Sequence, residues 1–214
     1  VTEILCVAPP FSYGRLGAIG PKCPNLGLGV IAAVIEKLGY DVKILDCFGL
    51  ELTEAEVAKE IEKHNPKLVL LGAVTANFKI ATSILKKAKE SNPSVINIIG
   101  GPHVTVNPDS AFKEEGIVDY VVINEAEETI VELLDCIYKK SAIPMSEIKG
   151  IMYLDSSKNK VRTAERPVVK NLDTLPMPAY HLFPMEKYHS YGWLNLGRKF
   201  TTMVTSRGCP FKCN

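Results

Sequence analysis

Short apolar, largely β-branched runs alternate along this chain with stretches whose apolar positions recur at helical spacing. Glu3 to Ala8 reads as a strand stopped by Pro9-Pro10. After a loop to about Asn25, the residues Leu26, Val30, Ile31, Val34, Ile35 and Leu38 mark a helix that Gly39 ends. Asp41 to Leu45 is a second strand with Asp46 at its carboxyl end, and Thr53 with Glu56 forms a capping box for the next helix. Lys67 to Gly72 is a third strand, followed by a helix burying Phe78, Ala81, Ile84, Leu85 and Ala88. Val95 to Ile99 runs into Gly100-Gly101-Pro102-His103 as a fourth strand, and Asn107-Pro108 opens a short helix. Asp119 to Ile123 is a fifth strand, ahead of a helix burying Ile130, Leu133, Leu134 and Ile137.

Five strand–helix alternations call for a parallel sheet covered on both faces by right-handed crossovers. The tips at Pro9, Asp46, Gly72–Thr75, Gly100–His103 and Asn124–Glu125 all follow strands, so they converge on one edge, where open α/β sheets bind ligands. Gly100 and Gly101 lack a Cβ and let a flat group lie on the backbone, although a Gly-Gly pair also serves a plain tight turn. Thr75 either bonds a ligand or caps the following helix. His103 is expected to hydrogen-bond and not to ligate metal, since no second ligand lies at metal-site spacing.

Past about Ser141 the pattern changes. Gly150–Leu154 and Lys160–Arg162 read as a hairpin. Residues 166–191, with Pro167, Pro176, Pro178 and Pro184, read as an extended connector wrapping the surface. Phe200 to Thr205 reads as a final strand before Arg207-Gly-Cys-Pro-Phe-Lys-Cys213.

Composition narrows the class. The 214 residues are 46% hydrophobic and 23% charged, with net charge +1. That balance gives no reason to expect a nucleic-acid partner, and no apolar run reaches the roughly 20 residues of a membrane helix. The amino-terminal stretch lacks a basic segment and reads as a strand, not a signal peptide. Six cysteines form no disulfide framework, so a reducing cytoplasm is expected, with Cys6 and Cys136 as buried thiols. The loop from Phe11 to Gly20 is glycine-rich but fits neither phosphate-loop nor dinucleotide spacing. The chain starts without Met and stops inside a cysteine motif, so it reads as part of a longer protein.

In order, the chain shows Pro9-Pro10, Asn25-Leu26-Gly27-Leu28-Gly29, Gly39-Tyr-Asp-Val with Leu45-Asp46, Asn92-Pro93 and Gly100-Gly-Pro-His103. Asp119-Tyr-Val-Val, Glu125-Ala-Glu-Glu-Thr and Leu172-Asp-Thr-Leu-Pro-Met-Pro-Ala-Tyr180 follow, and then Thr205-Ser-Arg-Gly-Cys-Pro-Phe-Lys-Cys213. This succession resembles the amino-terminal half of cobalamin-binding radical S-adenosylmethionine enzymes, either methyltransferases or the cyclases of anaerobic chlorophyll synthesis. The resemblance spans nearly the whole chain. It implies an α/β fold: a Rossmann-like, doubly wound, five-stranded parallel sheet with a carboxyl-terminal hairpin and connector.

By the same resemblance, residues 1–141 form the cobalamin domain, 142–198 the hairpin and connector, and 199–214 the start of a radical barrel. Cobalamin would lie against Pro9, Leu26, Gly27, Gly72, Ala73, Val74, Thr75, Gly100, Gly101, Pro102, His103, Asn124 and Glu125. Cys209 and Cys213 resemble the first two ligands of a [4Fe-4S] motif, Cys-x3-Cys-x2-Cys; alone, their spacing equally suits two thiols on one helix turn. The third would be residue 216, so this stretch by itself is expected to hold no complete cluster and to do no radical chemistry. In the intact protein the barrel would bring the cluster and S-adenosylmethionine.

One branch of cobalamin domains supplies an axial His from Asp-x-His-x-x-Gly. Here Pro24 and Leu26 stand at the Asp and His positions before Gly29, so the resemblance implies a base-off cobalamin with no His on cobalt. The family's Gly-Glu-Gly-Glu is Asn124-Glu125-Ala126-Glu127, and Ala73 replaces a common Ser. The alternatives are a flavodoxin-like or response-regulator-like module without cobalt, or a structural docking domain. The strand tips lack a response regulator's paired acids, and the first loop lacks flavodoxin's phosphate cradle.

Overall fold

The structure, a computed structural model, describes residues 3–10, 22–139, 143–190, 200–209 and 211. The elements run β1 (Ile4–Ala8), α1 (Leu26–Lys37), β2 (Val42–Asp46), α2 (Glu54–His64), β3 (Leu68–Gly72), α3 (Phe78–Ser91) and β4 (Ile96–Gly100). Then come α4 (Pro102–Val106), β5 (Tyr120–Val122), α5 (Glu127–Lys139), β6 (Ile151–Leu154) and β7 (Lys160–Arg162). The strand order is β2-β1-β3-β4-β5-β6-β7, with β1 to β5 parallel.

Alternate residues of each strand face opposite layers, as a period of two requires. From β1, Leu5 and Val7 pack with Val57 and Ile61 of α2 and with Ala81, Ile84 and Leu85 of α3. Ile4, Cys6 and Ala8 pack with Leu28, Ile31 and Ile35 of α1 and with Ile130, Leu133 and Leu134 of α5. Both faces are therefore covered, which is why the strands are apolar on both sides and not alternating. Complete burial of each such Leu or Ile contributes roughly 1.5–3 kcal/mol. Asn97 is the buried polar exception in β4. Its amide donates to Leu85 O and Ile117 O, both at 2.8 Å, and so ties α3 and the segment before β5 to the sheet.

The hairpin is part of this sheet. Its β6 pairs antiparallel with β5 through Tyr120↔Tyr153, Val121↔Met152 and Val122↔Ile151, making seven strands where the sequence pattern gave five and a separate hairpin. Without β6, β5 would be an open edge, and Ile151 and Met152 are buried by closing it.

Two further expectations are corrected. Phe200–Thr205 is irregular chain, because β2 and β7 are the sheet's outer strands and neither pairs with it. The helix expected from Asn107 is a 3-10 turn, Pro108–Phe112, preceded by α4, which starts at Pro102 directly after Gly101. The expectations for the Phe11–Gly20 loop and for Cys213 fall outside the described residues. No helix among the described residues is long and apolar enough to cross a membrane.

Candidate cofactor cavity

The register of β3 with β4 sets Gly72 directly beside Gly100 at the carboxyl edge of the sheet. A Cβ on Gly72 would meet nothing within 4 Å, and one on Gly100 would touch only Val122, at 3.7–3.8 Å. Two adjacent strands thus end in bare backbone facing open space. That space is a cavity of about 1210 Å³, larger than the roughly 300–1,000 Å³ of ordinary small-molecule pockets.

All five strand tips line the cavity: Pro9 after β1, Asp46 at the end of β2, Gly72, Ala73 and Val74 after β3, Gly100, Gly101 and Pro102 after β4, and Asn124 with Glu125 after β5. Leu26 and Gly27 line it from the first turn of α1, which Asn25 caps by accepting the Leu28 N–H at 3.1 Å. Of the residues expected at a ligand, Thr75 and His103 alone stand outside the lining. Their polar atoms face each other, with His103 Nδ1 3.1 Å from Thr75 Oγ1. Ser110 gives its proton to Asn107 O at 2.6 Å, so it receives one from His103 Nε2, 3.1 Å away. That fixes the imidazole as the Nε2–H tautomer, with Nδ1 accepting from Thr75. The His103 ring also lies on Phe78, with centroids 3.9 Å apart.

Gly101 has a different reason to be glycine. Its φ is +98°, and a Cβ there would stand 2.8 Å from both Ala73 N and Ala73 O. Ala73 N donates to Gly100 O at 2.9 Å and His103 N to Ala73 O at 3.1 Å, so the β3 and β4 tips are laced backbone to backbone. Glu125, expected to lie against the cofactor, is held by the protein: Oε2 accepts the Val169 N–H at 2.6 Å and Oε1 pairs with Arg207 at 3.2 Å. Asn124, at φ +64°, donates its N–H to Thr105 Oγ1 at 3.0 Å.

The sequence pattern missed one wall. Leu172, Leu175, Pro176, Met177, Pro178 and Tyr180 of the connector line the cavity; they do not merely wrap the surface. Ala179 N donates to Gly29 O at 3.0 Å, and a Cβ on Gly29 would press Pro178 and Phe183 at 3.0 Å, so Gly29 is what lets the connector lie on α1. Extended chain of this kind has no periodicity to read. Its motif was visible, but nothing in it says which face it covers.

Asp46 is 1% exposed and accepts Gly49 N–H at 2.9 Å and the Tyr188 hydroxyl proton. Burial, reinforced by that carboxylate, pushes the Tyr188 hydroxyl far above its ordinary value. Cys23 also lines the cavity, and partial burial raises its thiol. Cys209 is an exposed free thiol, and no cluster of three metal-ligating side chains occurs among the described residues. None of the four histidines lines the cavity: His64 ends α2, His103 is in α4, His181 pairs with Glu36 at 2.9 Å, and His189 follows the buried Tyr188.

A doubly wound α/β domain with a large, glycine-floored, mostly apolar cavity at its carboxyl edge is a cofactor-binding domain in class. The B12-binding domain family matches residues 14–134, and the chain belongs to that family. It is 38% identical over 215 residues to an uncharacterised methyltransferase of Pyrococcus horikoshii, a match covering 100% of this chain and 44% of the relative. It is 27% identical over 216 residues to the anaerobic magnesium-protoporphyrin IX monomethyl ester cyclase of Synechocystis, covering 99% of this chain and 41% of that one. The chain thus spans less than half of either relative. Among solved structures, the cobalamin-dependent S-adenosylmethionine radical enzyme OxsB, with aqua-cobalamin and S-adenosylmethionine bound, superposes with a TM-score of 0.68. That match has 18% identity over 84% of this chain and 24% of OxsB, and it bears on the fold alone. Family membership sets aside the flavodoxin-like and response-regulator-like alternatives.

Proposed function

We propose that this chain holds cobalamin in the cavity at the carboxyl edge of the sheet, base-off, with no side chain of its own on the cobalt. The observation that carries the reading is the pair Gly72 and Gly100, side by side at the floor of a cavity whose lining includes Leu26 and no histidine. The cavity is large enough for a macrocycle, and its bare backbone admits a group that any Cβ would displace. Pro9, Gly72, Ala73, Val74, Gly100, Gly101, Pro102, Asn124 and Glu125 would form the floor and tail channel, with Leu26 and Gly27 at the corrin's lower face. Thr75 and His103 would shape the tail channel from behind by fixing α4. When bound, cobalamin supplies methyl-carrying or radical chemistry at cobalt. The chain's own part would be to bind and orient it: Leu26 would present an apolar side chain where other cobalamin domains supply a His, and the connector would wall the cofactor on one side.

In the longer protein we assign residues 1–141 to the cofactor unit, 142–198 to the hairpin and connector, and 199–214 to the approach to a radical barrel. There Cys209 and Cys213 would hold a [4Fe-4S] cluster with S-adenosylmethionine, serving methyl transfer or radical cyclisation. The free thiols Cys6, Cys23, Cys47, Cys136 and Cys209 support a reducing, cytoplasmic setting. Titration of the chain with hydroxocobalamin, followed by visible absorbance, tests the reading. A saturable shift to a base-off spectrum is expected, and a base-on spectrum in the bound state would refute it.

A further inference from the structure

Two residues before Cys209, Arg207 reaches back to the loop between β5 and α5. Its Nη1 donates to Glu125 Oε1 at 3.2 Å and its Nη2 to Glu127 Oε1 at 2.6 Å. The Glu127 side chain is 6% exposed, against 30% for Arg207. Removing the guanidinium would strand a buried carboxylate, which is the costly way to break an ion pair. Glu125 is itself fixed, because its other oxygen accepts the Val169 N–H at 2.6 Å. A few residues of the cavity rim therefore hold both the connector and the segment that carries Cys209.

Among the described residues, two further contacts hold that segment, both at Thr202, one of them a side-chain hydrogen bond with Cys23. Tyr180 donates its hydroxyl to Thr202 O at 2.7 Å. Met203 and Val204 are 65% and 60% exposed, and no strand ladder includes them. Yet Met203, Val204, Thr205 and Arg207 line the same cavity as Gly72 and Gly100. The segment is thus a wall of the cavity, anchored at Thr202 by Tyr180 and Cys23 and at Arg207 by the carboxylate clamp.

We propose that Arg207 is a positioning residue: clamped by Glu125 and Glu127, it ties the placement of the Cys209 segment to occupancy of the cofactor cavity. The inference rests on the cobalamin reading above for its ligand, and on the clamp alone for its mechanics. A ligand that packs against this wall and a clamp that holds the wall stabilise each other, because coupling between two equilibria is reciprocal.

Hydrogen–deuterium exchange of the whole chain, with and without hydroxocobalamin, separates the two parts. In the cofactor-free chain, Arg207→Met should raise exchange across residues 202–209 several-fold and leave β1, β3 and β4 unchanged. Arg207→Lys should retain part of the protection, since one ammonium still reaches one carboxylate. The double variant Arg207→Met with Glu127→Gln removes both charges of the buried Arg207–Glu127 pair and should show the same loosening, which covers the case in which the single variant fails to fold. Hydroxocobalamin should protect residues 202–209 in the parent and not in Arg207→Met, whose affinity should fall about tenfold, within the usual range of coupling between sites. Unchanged exchange of 202–209 in the cofactor-free variants would overturn the clamp. Bound hydroxocobalamin that leaves 202–209 unprotected in the parent would overturn the coupling. Absent hydroxocobalamin binding would remove the cobalamin reading and the coupling with it, while the cofactor-free comparison still decides the clamp.

Discussion

At Gly101 an added Cβ would overlap the Ala73 backbone, whereas at Gly72 it would enter open cavity. The two positions make a paired test. Gly72→Val should keep the parent's melting temperature and lose at least about tenfold in hydroxocobalamin affinity, equal to about 1.4 kcal/mol. Gly101→Ala should instead destabilise the fold, since its φ of +98° with ψ 177° is a region nearly reserved to glycine and costs an L-residue about 1–3 kcal/mol. Thermal melts alongside binding isotherms distinguish these outcomes; a folded Gly72→Val with parental affinity would remove the glycine floor from the site. Tyr188→Phe leaves Asp46 Oδ2 buried without its hydroxyl donor and should cost about 1–3 kcal/mol by denaturant titration. The sequence showed Gly100-Gly101 as a place where backbone is approached closely. It did not show that a Cβ at Gly101 would meet the Ala73 backbone, because that depends on how β3 and β4 register. His103 is a similar case: its residue type advertised hydrogen bonding, but its partners, Thr75 and Ser110, were fixed only by the turn of α4.

Strands and helices were legible where burial imposes a period. The alternations through α5 are present near their expected bounds, and the Thr53–Glu56 capping box is formed, with Thr53 N donating to Glu56 Oε2 at 2.8 Å. Thr53→Ala should cost about 1 kcal/mol in chemical denaturation. The connector, without a period, could not be assigned a face. Burial in β1 and just after β2 has a pH consequence. Desolvation pushes the Cys6 and Cys47 thiols from 9.0 up to about 12. In the unfolded chain they ionise near 9 and in the folded chain near 12, so the unfolded state sheds protons first. Their contribution is complete below about pH 9 and is lost as pH rises from about 9 toward 12. Denaturation midpoints should fall between about pH 9 and pH 12, and Cys6→Ala with Cys47→Ala should flatten that fall.

For the molecule as a whole, the placement of the site follows from topology: parallel strands with helices on both faces leave their carboxyl tips together, and the order β2-β1-β3-β4-β5 reverses direction between β1 and β3. The convergence of the tips was readable from five alternations; the strand order was not. The hairpin's addition to the sheet and the wall formed by residues 172–180 and 203–207 were not, since both depend on which edges and faces were left uncovered. The central claim is cobalamin held with no imidazole beneath the cobalt, and Leu26→His should create such a ligand if Leu26 lies under the corrin. Electron paramagnetic resonance of the parent chain loaded with cob(II)alamin tests this most directly. The account predicts a base-off spectrum without nitrogen superhyperfine splitting in the parent, and splitting in Leu26→His; nitrogen splitting in the parent would contradict it.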